Sequence, residues 1–141
     1  MSFVESTTRP RARRVVGFGA LAGVLAVTIN LAVRGAALAL LREAAVPFPL
    51  AVGADVVFTL LPCVLGASLF LLVRHRATRP LHVFTIVAAT VLVVSWTAPA
   101  VLAAQGVVGA GALVTLLIMH AVPAAAVTVA LRIVSGTDPA P

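Results

Sequence analysis

From Leu81 to Leu131 the chain carries no Asp, Glu, Lys or Arg. As a single helix rising about 1.5 Å per residue, that stretch would be on the order of 75 Å long, whereas a bilayer's hydrocarbon core is about 30 Å thick. It must cross a membrane twice. The break is predicted at Ala104-Gln105-Gly106, where an amide side chain meets a glycine with no large aliphatic beside it. Two further apolar runs come before it. Val15 to Val33 is uncharged and its apolar pattern continues past Arg34 to Leu41, while Val56 to Val73 extends back to about Leu50 with Asp55 inside it. The expectation is an all-α integral membrane four-helix bundle over residues 13–134, with helices at about 15–41, 50–73, 81–103 and 107–133. Tails at 1–12 and 135–141, rich in Thr, Arg and Pro or in Gly, Asp and Pro, are expected to be disordered.

Composition narrows the function classes. Of 141 residues 62% are hydrophobic and 10% charged, against roughly 45–50% and about 25% in soluble domains. No mixed-composition stretch is long enough for a second, soluble domain. The net charge of +6 comes entirely from arginine. In a soluble protein it would point to nucleic acid; here the arginines sit at the ends of apolar runs, so no nucleic-acid partner is expected. The single cysteine, Cys63, excludes an internal disulfide or a CxxC pair, and with them membrane thiol oxidoreductase chemistry.

Charge asymmetry orients the chain. Arg9, Arg11, Arg13, Arg14, Arg74, Arg76, Arg79 and Arg132 fall on one side of the threading, whereas the other side has Arg42 balanced by Glu43. The positive-inside rule then places both termini and the Arg74–Arg79 loop in the cytoplasm of a multi-pass protein of the cell membrane. A cleaved secretory or twin-arginine signal competes for the first helix, because a basic segment with Arg13-Arg14 precedes the apolar run. The run exceeds the usual length of about 7–15 residues, which favours an uncleaved anchor. Two hairpins of similar length permit a weak pseudo-symmetry without a convincing repeat.

Several of these segments together resemble a known family. The N-terminal arginine cluster and helix, the basic turn Arg74-His75-Arg76-Ala77-Thr78-Arg79-Pro80, and a last helix with Leu117-Ile118-Met119-His120-Ala121-Val122 resemble an uncharacterised family of actinobacterial four-helix membrane proteins. The likeness is strongest over residues 74–133. In the first hairpin, Pro47-Phe48-Pro49 occupies a loop that in the family is more polar and glycine-rich. The resemblance implies the four-helix topology and carries no catalytic residue across.

Ionisable side chains inside a membrane cost roughly 2.5–3.5 kcal/mol each at the centre and face the bundle interior. Arg34 and Asp55 are the two here. With the outer boundary near Leu38 and Ala51, each lies four positions, about 6 Å, below it, so antiparallel neighbours could pair them. Asn30 lies four residues before Arg34 and Thr59 four after Asp55, which puts each pair on one helix face and makes a polar seam. Ser95 and Thr97 on helix three, beside Trp96, extend it, and His120 on helix four sits near mid-membrane, three residues before Pro123. Prolines 62, 99 and 123 each free a backbone carbonyl. Arg34 and Asp55 read either as a structural pair or as lining for a cavity; His120 as a hydrogen-bonding link to helix three or as a titrating group; Asn30 as interhelical glue or a binding group.

Other constellations are weaker. His75 and His82 lie half a bilayer from His120, so no metal site is expected. A Ser95–His120–Asp55 triad is disfavoured by depth. Gly17-Phe18-Gly19 with Gly23, and Gly106 through Gly111, lack the strand and the Lys-Ser/Thr of a phosphate loop. They read as small-residue packing, with Gly19 and Gly23 a GxxxG pair meeting a neighbouring helix or a second copy. The loop arginines read as topogenic and headgroup contacts, and Cys63 as core.

Three functions fit. The first is a non-enzymatic accessory or small-amphiphile-binding bundle, in contact with the lipid bilayer and a lipophilic small molecule, and in some versions a homo-oligomer. The second is a small proton-coupled transporter subunit using Asp55 and His120. Third is an intramembrane isomerase or cyclase on a lipophilic substrate, with Asp55 or His120 as catalytic acid or base. The seam residues Asn30, Arg34, Thr59, Ser95 and Thr97 are the binding candidates, and no cofactor is called for. Asn30 and Arg34 stand where multidrug-type four-helix antiporters carry a central helix-one glutamate, so that family is a poor match.

Overall fold

The computed structural model describes residues 12–41 and 52–136. The expected tails, the Arg42/Glu43 balance and Pro47-Phe48-Pro49 lie outside the described residues, apart from Ala12, Ser135 and Gly136, which are helical. Five helices occur among the described residues: α1 (Ala12–Leu41), α2 (Val52–Arg76), α3 (Pro80–Ser95), α4 (Thr97–Ala104) and α5 (Ala110–Gly136). Taken as continuous spans, with α3 and α4 as one, they give four segments long and apolar enough to cross a membrane. Hydrocarbon offers the backbone no hydrogen-bond partner, so an apolar run of this length closes its own i to i−4 bonds as a helix.

Local chemistry sets the ends. Arg74 and Arg76 occupy the last turn of α2, where cations complement the negative end of the helix dipole, and Asp55 occupies its first turn, where acidic residues are favoured. Pro80 opens α3, its missing N–H costing nothing in a first turn. Between α4 and α5, Gly106 adopts φ +70°. Its N–H bonds Ala103 O at 3.0 Å while Val107 N bonds Leu102 O at 2.9 Å. That pair of bonds is a Schellman cap, and it needs a residue without a Cβ at the left-handed position. The cap delays the last helix to Ala110 rather than 107.

The third span is continuous in hydropathy yet divided at Trp96. Pro99 has no N–H to give Ser95 O, and its ring crowds that carbonyl. Trp96 N bonds both Leu92 O and Val93 O, at 3.2 and 3.3 Å, and the helix restarts with Ala100 N on Trp96 O at 3.1 Å.

α1 packs on both α2 and α5, and the third span lies against α2 and α5. Small residues let the first two helices meet: a Cβ on Gly19 would stand 2.8 Å from Ala67 Cβ, and one on Gly23 would touch Leu60 and Cys63. The GxxxG pair is thus used within the chain. Near the end carrying both termini, Val15, Phe70, Phe84, Leu131 and Val134 form a buried cluster, with Phe70 and Phe84 edge to face at 5.7 Å. The third span is the least buried of the four, with Phe84 in α3 and Pro99 in α4 as its buried residues.

Candidate functional site

A cavity of about 770 Å³ lies between α2, the third span and α5, and α1 contributes Asn30 to its lining. This falls within the roughly 300–1,000 Å³ of small-molecule sites. On α2 its lining runs from Ala54 to Leu69, a length of about 22 Å at helical rise. Most of the wall is hydrocarbon. Leu65, Leu69, Phe84, Val87 and Val127 line the stretch towards the termini end, and the polar side chains gather at the opposite end. Phe58, Leu65 and Val91 line the cavity yet are more than half exposed, so its mouth faces the bilayer between α2 and α3.

A directional hydrogen-bond network builds the polar end. Pro123 cannot donate to Met119 O, four residues before it, and Asn30 Nδ2 takes that carbonyl at 3.0 Å. A carbonyl only accepts, so this bond fixes which amide atom of Asn30 is nitrogen. The same nitrogen donates to Thr59 Oγ1 at 2.8 Å, and Thr59 Oγ1 donates to Asp55 Oδ1 at 3.2 Å. One amide thereby ties α1 to α2 and α5. Asn30, Thr59 and Asp55 are 1%, 2% and 3% exposed. Asn30 Oδ1 and Asp55 Oδ2 remain buried with no hydrogen-bond partner among the described residues. Leaving such an acceptor unmet costs about 1–3 kcal/mol, more when it is charged.

The remaining candidates are placed less centrally. Arg34, half-buried, lies within electrostatic reach of Asp55 but does not line the cavity. His120 lines it, and its Nδ1 sits 2.7 Å from Leu116 O of its own helix. Because that carbonyl accepts, Nδ1 carries a proton, which in a neutral imidazole leaves Nε2 as an acceptor. The link from the third span to α5 is instead made by Trp96 Nε1, which donates to Leu117 O at 3.2 Å. Ser95 lines the cavity while its hydroxyl donates to Leu92 O at 2.7 Å. Thr97 is exposed, outside the lining, and bonds Val94 O. Cys63 is core between α1 and α2.

Sequence reasoning missed the cavity's apolar wall and the carbonyl of Met119. The wall carries no pattern of its own, since every face of these helices is apolar. Met119 was marked by Pro123, but which side chain would claim its carbonyl depends on helix order. Among the described residues no three His, Cys, Asp or Glu side chains converge.

No curated protein and no solved structure matches the chain. Residues 7–137 match the family of unknown function DUF6069, which takes in both the network and the cavity, and the chain belongs to that family.

Proposed function

We propose that this membrane protein binds a single small amphiphile, which enters sideways from the bilayer between α2 and α3 and lies along α2. One observation carries the reading: a long apolar cavity, open to lipid, ends on buried acceptors whose bonding capacity the fold leaves unused. Structural glue would satisfy itself, as the Asn30 amide nitrogen does with Thr59 and Met119. On this reading the protein is a multi-pass protein of the cell membrane with cytoplasmic termini, and it needs no chemistry from Asp55 or His120 beyond recognition.

Trp96, the single tryptophan, adjoins Ser95 in the lining and makes a native reporter. The protein is reconstituted in unlabelled phosphatidylcholine vesicles and titrated with a dibrominated long-chain alcohol and, separately, with the matching fatty acid. Bromine quenches indole at close contact. Saturable quenching by at least one probe, abolished by Ala124→Phe, which fills the cavity wall, is the expected result. Quenching that rises linearly with probe content, and equally in Ala124→Phe, would show only bulk partitioning and end the proposal.

A further inference from the structure

We propose that the head of the ligand is a hydrogen-bond donor without a strong acceptor, a hydroxyl or ammonium group, seated on Asp55 Oδ2, Asn30 Oδ1 and His120 Nε2. Its single alkyl chain runs along α2 towards Phe84. The inference rests on the amphiphile-binding reading and specifies its chemistry.

Bond direction selects the head. Met119 O fixes the Asn30 nitrogen, the nitrogen fixes Thr59 Oγ1 as its acceptor, and the Thr59 proton goes to Asp55 Oδ1. At each step the donors are consumed inside the protein. Leu116 O likewise takes the Nδ1 proton of His120, and Leu92 O takes that of Ser95. Among the lining residues, Asn30 and Asp55 each keep one unpartnered oxygen on a side chain at least 97% buried. Prolines add to the set, because Pro62 and Pro99 cannot donate to the carbonyls of Phe58 and Ser95, both lining residues. The Trp96 indole Nε1–H and the Thr115 hydroxyl, donors on nearby residues, are spent on Leu117 O and Gly111 O.

A phosphate or carboxylate head would set its own lone pairs against these and its charge against Asp55. Arg34, the nearby cation, acts on Asp55 and is not among the residues that line the cavity. An ester head would bring no donor and leave both orphan oxygens unmet. Hydroxyl and ammonium heads both supply what the site lacks.

Four probes with one saturated eighteen-carbon chain separate the cases: octadecane-1,2-diol, octadecylamine, methyl stearate and octadecyl phosphate, each displacing the brominated chain from the full-length protein in phosphatidylcholine vesicles. The diol or the amine should displace at about tenfold lower membrane content than the ester or the phosphate, the advantage of satisfying a buried acceptor. Asp55→Asn, isosteric, keeps Oδ1 for Thr59 but removes the charge and puts an N–H donor at the Oδ2 position, which a hydroxyl can meet as an acceptor and an ammonium cannot, so it distinguishes the two heads. An ammonium ligand loses about tenfold there and a diol changes by less than about threefold, both within the proposal. Methyl stearate or octadecyl phosphate competing as well as the diol and the amine overturns the head assignment and leaves amphiphile binding standing. If neither brominated chain quenches saturably, both inferences fall. The probe series needs no variant, so a poorly folding Asp55→Asn does not blunt it.

Discussion

Asp55 is the side chain on which most of the chemistry turns. Buried to 3% exposure in the first turn of α2, it is held by one hydroxyl, by the favourable end of its helix dipole and by the field of Arg34. Removing Arg34 alone takes the nearby cation from a buried carboxyl group; removing Asp55 alone takes the acidic neighbour from Arg34. A double-mutant cycle with Arg34→Met and Asp55→Leu, read as thermal stability in detergent, should therefore give a coupling of about 1 kcal/mol or more, with the double variant better folded than either single. Additive losses would mean that the two charges act independently. That Asn30 shares a helix face with Arg34, and Thr59 with Asp55, was legible from their four-residue spacings. What spacing could not supply was the sense of each bond. That depends on Met119 O, whose availability follows from Pro123 and whose neighbour follows from helix order, a property of the folded bundle.

Among elements, α1 and α2 are the pair most tightly specified, because the glycines remove side chains where the backbones approach. With a hypothetical Cβ at Gly19 standing 2.8 Å from that of Ala67, Gly19→Ala forces the helices apart. Overpacking of this kind costs about 1–3 kcal/mol, and Ala67→Gly should restore most of it by vacating the same space. Thermal unfolding of both single variants and the pair tests this; a Gly19→Ala protein as stable as the parent, or one that Ala67→Gly fails to rescue, would place the contact elsewhere. The GxxxG spacing announced a close approach, but left open whether the partner was in the chain or in another copy. The third span shows the reverse limit. Its hydropathy is unbroken, so length and composition read it as one helix, whereas the division at Trp96 arises from the missing N–H of Pro99. On that span the cavity is lined from Phe84 to Leu102, on both sides of the division.

At the scale of the whole molecule, packing and charge share one axis. The dense cluster of Val15, Phe70, Phe84, Leu131 and Val134 lies towards the end where Arg13, Arg14, Arg76, Arg79 and Arg132 stand exposed, and the polar network lies towards the end where α2 begins. Hydropathy made four crossings legible, since each apolar run is long enough for about 30 Å of hydrocarbon and too long to remain in water. It could not reveal a cavity, because lipid-facing and cavity-facing residues are equally apolar. Orientation rests on the arginines: cytoplasmic loops retain Lys and Arg near span ends, and the α2–α3 turn together with the flanks of α1 and α5 holds nearly all of them. Reporter fusions after Arg76 and after Gly136 should therefore both read cytoplasmic, and one after Gln105, in the turn that Gly106 caps, should read outside. If Gln105 reads cytoplasmic with the other two outside, the bundle is inverted, and the acceptor-rich end of the cavity would meet the inner leaflet. If all three read on one side, the stretch from Pro80 to Gly136 does not form two crossings and the threading itself is wrong. The expected pattern sets the acceptors near the outer leaflet, where a donor-headed amphiphile could reach them without carrying its head across the bilayer centre.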